Sequence, residues 1–460
     1  MQKKGFIFNQ TNNRNKMKYK LSLVILFIVA SVIIKAQNKI EFTEYNLDNG
    51  LHVILHQDNS TPIVAITTTY HVGSKNEFAD RTGFAHFFEH LMFEGTENIK
   101  RGEIDQLIQN AGGQLNAATS FDQTNYYFLL PSNQVNLGLW IESERMLHAK
   151  IDSVGVETQR KVVKEERRQR IDNQPYGSVL ENIFGKSYTE HPYRWTPIGS
   201  FQYIDKATID EFRDFYKTFY VPNNAVLSIA GDFKIDEMKA LVAKYFAEIP
   251  KGTKEIFRPK VVEPQKTAEV KDTIYDKIQL PAVISAYHIP AQGTDDYYAL
   301  NMLTTLLSGG QSSRLYKEIV DNKQLAVYSS SIPLSLEDPG LFIIISIAAV
   351  GKQANEVDEA INDEIEKVKL NLIDQEEFDK LKNQTENDFV RENNTVLGIA
   401  RNLANYNMFF GNTNLINTEI ERFMKVTRED IKRVANKYLV NQNRTVLYYL
   451  PNNLKAKETK

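Results

Sequence analysis

Thr208, Phe212, Phe215, Phe219, Asn224 and Leu227 recur as Thr427, Ile431, Val434, Tyr438, Asn443 and Val446, at a constant offset of 219 residues. Each set runs from a helix start, along an apolar stripe, to an asparagine and a strand. In the first copy that strand is the continuous apolar run Ala225 to Ala230, the pattern of a buried strand. Pro62…Tyr70-His71 echoes Pro281…Tyr287-His288 at nearly the same spacing. Chance likeness between two helix-to-strand junctions is the competing explanation. A duplicated α+β unit of about two hundred residues is the tighter constraint, with each half a mixed or antiparallel sheet carrying helices on one face. Two repeats of this size do not make a solenoid. The 460 residues, 42% of them hydrophobic, suffice for two cores of ordinary domain size.

Between the two copies, Pro250 to Gln265 holds three prolines and Lys251-Gly252-Thr253-Lys254, and reads as a linker. The expected organisation is a leader over 1–36, an N-terminal domain over 37–250, a linker over 251–268 and a C-terminal domain over 269–460. In the first half, Leu51 to His56, Ile63 to Val72 and Gln114 to Leu130 read as strand. Helices are expected over about Phe84 to Phe93, Val135 to His148 and Glu157 to Gln169. The leader begins with Lys18 and Lys20, continues with the apolar run Leu21 to Ile34 and ends at Ala36-Gln37. That run is short of the roughly 20 residues a membrane span needs and matches a secretory signal cleaved after Ala36. An uncleaved anchor is the alternative, since Ile34 is not ideal at its position. Met17 is a second candidate start. Export to a periplasm or to the medium follows, with no membrane association after cleavage.

The formal charge of −3 offers no basic excess for nucleic acid. With no cysteine, disulfides, thiolate metal sites and cysteine nucleophiles are excluded, so any metal must be held by His, Asp or Glu. His86-Phe87-Phe88-Glu89-His90 answers that requirement. On a helix, positions i and i+4 lie about 40° apart, so both imidazoles can reach one ion, with Glu89 beside them. The same spacing occurs by chance on solvated helix faces. Here Phe84, Phe87, Phe88, Leu91, Met92 and Phe93 surround the polar trio, and a helix apolar nearly all round is buried. Burying two His and a Glu without partners costs several kcal/mol, which a metal would offset. Zinc suits neutral imidazole and takes three protein ligands in catalytic sites. On the helix expected over Glu157 to Gln169, the stripe Gln159, Val162, Val163 and Glu166 points Glu166 toward the packed side and Glu165 toward solvent. That helix is rich in charge, so the stripe alone does not decide the third ligand.

The chain resembles the pitrilysin/insulinase family of metallopeptidases, in its half-length, processing-peptidase-like branch. The run from Gly83 to Gly95 is similar to that family's zinc helix with the inverted motif H-x-x-E-H. Leu115 to Asp122, His191-Pro192-Tyr193 and Tyr220 to Asp232 are further marks, and the likeness covers about residues 40 to 450. It implies one Zn²⁺ per chain held by His86, His90 and Glu166, the last separated from His90 by 75 residues as in the family. It implies Glu89 as general base, and Asn116 and Ala117 as substrate contacts beside the scissile bond. Two chains of such a fold, or one chain of double length, close around a chamber in which peptides bind in extended form, by strand addition.

Two departures stand out. Where the family carries a supporting glutamate seven residues before the third ligand, this chain has Gln159, which lacks the charge. Where the family's C-terminal half supplies an Arg and a Tyr, this chain has Val320 and Val327, with Arg314 and Tyr328 nearby but out of register. The second copy of the metal helix offers only Asn301, Thr304 and Thr305 at the ligand places. The implied assembly is therefore a heterodimer with a homologous subunit that lacks the zinc motif but supplies the Arg and Tyr. A homodimer using Tyr328 or Arg314 is the alternative. The implied activity is a zinc endopeptidase acting on peptides or unfolded segments, and a weakly active or non-catalytic peptide-binding or scaffold homologue is the competing reading.

Overall fold

The computed structural model describes residues 39–458. The expected leader over 1–36 lies outside the described residues. Among them, no helix is long and apolar enough to cross a membrane.

Eleven strands build two sheets among these residues. The first contains β1 (Thr43–Asn46), β2 (His52–Gln57), β3 (Ile63–Tyr70), β4 (Gln114–Thr119), β5 (Thr124–Pro131) and β6 (Ala225–Gly231). Its order is β1-β2-β6-β3-β5-β4, all antiparallel except the β2–β6 pair. The second contains β7 (Val270–Asp276), β8 (Ala282–His288), β9 (Ala326–Leu334), β10 (Leu341–Ala348) and β11 (Arg444–Pro451), in the order β7-β11-β8-β10-β9. Again one pair, β7–β11, is parallel. Ile66 sits between Ile229 and Phe128 in the first sheet, and Ile284 between Leu447 and Ile345 in the second. The expected α+β duplication is thus present as two sheets of matching order.

The repeated residues perform the same local tasks in both copies. Thr208 and Thr427 cap their helices through reciprocal bonds with Glu211 and Asp430, which satisfy otherwise orphaned N–H groups. Asn224 donates to Phe219 O at 2.8 Å and Asn443 to Tyr438 O at 2.8 Å. The same amides reach His71 O at 3.4 Å and His288 O at 2.9 Å, tying each strand start to the neighbouring strand's end.

The run Gln114 to Leu130 is two strands, not one. Ser120 N donates to Gln123 O at 2.8 Å, and the Ser120 hydroxyl accepts from Gln123 N, closing a turn that folds the run into the β4–β5 hairpin. The helix expected from Glu157 begins earlier, at Ser153, because Asp152 caps it by accepting from Gly155 N at 2.8 Å.

From Phe42 onward the chain forms one compact unit. The halves exchange cover. Helix Val179–Ser187, from the first half, lays Ile183 and Phe184 on the second sheet against Ile284, Ile343 and Leu447. Helix Val396–Phe410, from the second half, packs on β3 and β6 of the first. Each fully buried Phe or Ile contributes about 1.5–3 kcal/mol.

The junction also holds an ionic knot. Lys75, 5% exposed, reaches Asp122 at 3.0 Å, Glu337 at 2.5 Å and Asp338 at 3.1 Å. His71 lies 2.9 Å from Glu337 and His191 3.3 Å from Asp338. Burial pushes the Glu337 carboxyl up, but His71 and Lys75 outweigh it and hold its pKa at about 2, against 4.5 unperturbed. A depressed folded pKa stabilises above the unfolded value, and that stabilisation is lost as pH falls toward the folded one. Roughly 2 kcal/mol from this group should be gone by pH 3. Urea unfolding of wild type and Glu337→Gln between pH 6 and pH 3 checks it: the difference between the two should shrink by that amount. Parallel curves would show that Glu337 titrates alike in both states.

Candidate metal site

The helix α1 (Phe84–Leu91) turns its apolar face inward, stacking Phe84, Phe87 and Phe88 on Phe212, Phe215 and Tyr220. That packing leaves His86, Glu89 and His90 on the opposite stripe. Its first residue follows Gly83, whose φ of +92° suits glycine and whose lack of a side chain leaves the helix start uncapped locally. The cap comes from Glu77, whose buried carboxylate accepts from Gly83 N at 3.0 Å and Ala85 N at 2.8 Å. Burial raises the Glu77 pKa to about 8 against the opposing effect of these bonds. Sequence reading missed Glu77, because a cap supplied from six residues upstream has no local signature.

The second contributor is α2 (Ser153–Arg167). Glu166 lies on its inner face, 16% exposed, whereas Glu165 is 53% exposed. Val163 is buried as expected, but Val162 is 43% exposed and falls off the packed stripe. Glu166 Oε2 stands 3.1 Å from His90 Nε2 and 3.5 Å from His86 Nε2. One ligand atom from each of the three residues lies within 4.8 Å of the others, the one such group among the described residues. Arg170 holds the outer oxygen of Glu166 at 2.9 Å.

These atoms converge on one point. Glu166 Oε2 is buried and has no hydrogen-bond donor. His90 Nδ1 pairs with Gln159 Oε1 at 3.2 Å, and since an amide oxygen only accepts, the proton sits on Nδ1. Nε2, turned toward the buried Glu166 oxygen, is then the ring nitrogen left to ligate, and the carboxylate beside it suits a cation. Two ligands about 2.05 Å from a tetrahedral Zn²⁺ stand roughly 3.3 Å apart, which the observed 3.1 and 3.5 Å bracket. The residues therefore fit zinc. Burial and the neighbouring His90 lower the His86 pKa to about 4, so the imidazole is neutral and free to ligate near neutral pH. The Glu166 carboxyl is held below its ordinary range, first by the adjacent His90 and against the pull of burial.

Glu89 projects beside the trio. Its Oε2 accepts from Thr119 Oγ1 at 2.5 Å, where β4 ends, and burial raises its pKa. Asn116 and Ala117 lie on β4, the edge strand of the first sheet, with Asn116 exposed and Ala117 half-buried. The Asn116 side chain accepts from Ala117 N at 2.8 Å. In the second half, Asn301, Thr304 and Thr305 each bond back to a carbonyl one turn earlier on their own helix, at 2.8, 3.0 and 3.3 Å.

Besides Glu77, two residues at the site went unread in the sequence. Thr119 holds Glu89. Glu94, 4% exposed, accepts from Gln159 Nε2 at 2.5 Å and pairs with Arg101. Glu94 directly follows the apolar run Leu91-Met92-Phe93, which was the available signal.

Known proteins share these features. Residues 52–196 match the family described as insulinase (peptidase family M16), and residues 206–385 match the peptidase M16 inactive domain. The zinc protease PqqE of Helicobacter pylori is 33% identical over 442 residues, covering 93% of this chain and 97% of its own. A probable mitochondrial-processing peptidase subunit beta of Arabidopsis thaliana is 24% identical, covering 86% and 76%. The crystal structure of a protease from Helicobacter pylori superposes with a TM-score of 0.86 at 31% identity, covering 89% of this chain and all of that one.

Proposed function

This chain belongs to peptidase family M16, the insulinase family, and on that premise we propose that it is the zinc-binding catalytic subunit of an exported endopeptidase. The observation that carries the proposal is the convergence of ligand atoms from His86, His90 and Glu166 on one point, with the inner Glu166 oxygen buried there. His86, His90 and Glu166 hold one Zn²⁺, and Gln159 orients His90 from behind. Bound zinc supplies Lewis acidity at the scissile carbonyl. Glu89 takes a proton from the attacking water and passes it to the leaving amine. Thr119 fixes the carboxylate that does so. The substrate, a peptide or an unfolded segment, lies along the exposed edge of β4 at Asn116 and Ala117, where the Ala117 N–H must turn from the Asn116 side chain to pair with it.

In this reading 37–250 is the catalytic domain, 251–268 the linker and 269–460 a metal-free domain of similar fold. The leader over 1–36 directs export to a periplasm or the medium. A homologous subunit without the zinc motif closes the chamber, in keeping with a relative that is itself named a subunit. A peptide-binding homologue of low activity is the second reading, favoured by the apolar Val320 and Val327.

Metal content tests the assignment. The purified mature protein should carry about one Zn²⁺ by elemental analysis. His90→Ala and Glu166→Ala should each lose most of it. Near-full zinc in both variants would sink the ligand set.

A further inference from the structure

Behind the metal-facing side of His90 runs a closed circuit of side chains. His90 Nδ1 meets Gln159 Oε1 at 3.2 Å, and Gln159 Nε2 meets Glu94 Oε1 at 2.5 Å. The other Glu94 oxygen pairs with Arg101, whose Nη2 reaches Asp152 Oδ1 at 2.9 Å. Asp152 Oδ1 accepts from Gly155 N at 2.8 Å and so caps α2, the helix that carries both Gln159 and Glu166. Gly155 leaves space for this: a Cβ there would stand 3.1 Å from Arg101 Nη2 and 3.4 Å from Glu94 Cγ.

The circuit has a direction. A carboxylate only accepts, so Glu94 draws the NH₂ end of Gln159 toward itself. The amide oxygen must then face His90, which places the imidazole proton on Nδ1 and frees Nε2. We propose that Glu94 is a positioning residue that selects the metal-binding tautomer of His90 by orienting the Gln159 amide. The carboxylate charge that Gln159 lacks is delivered from one residue further out. This inference rests on the proposed metal site for its meaning, but the tautomer can be read without metal.

Glu94→Gln is close in shape and removes the direction. An amide at 94 can accept from Gln159 or donate to it, so Gln159 can flip and present its NH₂ to His90. That arrangement stabilises the Nε2–H form, which cannot ligate through Nε2. Partners that orient a ligating histidine typically alter metal affinity about 10–100-fold.

The decisive comparison is Glu94→Gln against the exchange Glu94→Gln with Gln159→Glu. Zinc affinity is measured by chelator competition. The single variant should bind zinc about 10–100-fold more weakly than wild type. The exchange places a carboxylate directly on His90 Nδ1–H and should recover most of the loss. If Glu94 served only as the partner of Arg101, the exchange would remain as weak as the single variant, because Arg101 has lost the Glu94 carboxylate in both and keeps only Asp152. That result, or unchanged affinity in Glu94→Gln, overturns the proposal. Imidazole ¹⁵N spectra of the metal-free protein give the second readout. Wild-type His90 should be the Nδ1–H tautomer and Glu94→Gln a mixture, and a single unchanged tautomer in both refutes the mechanism. His90→Ala is the control for the metal site itself. Should it retain zinc, the ligand set fails while the spectra still decide the role of Glu94.

Discussion

Glu89→Gln is expected to yield a folded protein that keeps its zinc and loses peptide hydrolysis by about 10²–10⁴-fold, the usual contribution of a general base. The geometry separates Glu89 from the ligands. His86, His90 and Glu166 form the convergent group, whereas Glu89 turns its Oε2 to Thr119 at 2.5 Å. Glutamine fills the same space and can still accept from Thr119 through its amide oxygen, so neither packing nor the ligand set should change. What disappears is the ability to take and return a proton. The measurement pairs elemental analysis with cleavage of a long unstructured peptide, and wild type treated with chelator serves as the metal-free reference. Zinc lost together with activity would make Glu89 a ligand. Activity retained would remove it from the proton transfer.

How far the sequence reveals such a site depends on whether a signal is local. The two Thr caps and the two Asn clamps use partners three to five residues away, so they repeat visibly at the same offset. The stripe of His86, Glu89 and His90 is visible for the same reason. Glu166 was narrowed by its helix face, although Val162 on the presumed stripe proved exposed. Glu94 and Gln159 are 65 residues apart, and Thr119 and Glu89 are 30 apart, so only the fold brings them together. Likewise, the apolar faces of helices Val179–Ser187 and Val396–Phe410 announce that something covers them. Nothing in their periodicity says that each lies on the other half's sheet.

Without a partner, the chain is expected to hydrolyse peptides poorly, and a homologous subunit carrying the missing Arg and Tyr should raise turnover by about 10²–10³-fold, the usual effect of one oxyanion donor. The structure sharpens the reason. Val320 is half-buried against the second core and has no polar atom to offer. Val327 is the extra residue of a β-bulge in β9, where Ile347 pairs with Tyr328 and Ala348 with Ala326. Arg314 is engaged by Glu377 through two bonds, at 3.0 and 2.6 Å, and is not free to serve a neighbouring site. Of the two residues that could rescue a homodimer, only Tyr328 remains, 48% exposed on the edge strand beside the bulge. A bulge re-aims the side chains next to it, so Tyr328 could stand in for the displaced position. The two assemblies therefore separate on one substitution. In the heterodimer, Tyr328→Phe leaves stimulated turnover unchanged, because the partner supplies the donors. In a homodimer it removes most of the activity of the lone chain. Robust turnover by the lone chain that survives Tyr328→Phe would exclude both arrangements and place the oxyanion donors on the zinc-bearing half itself.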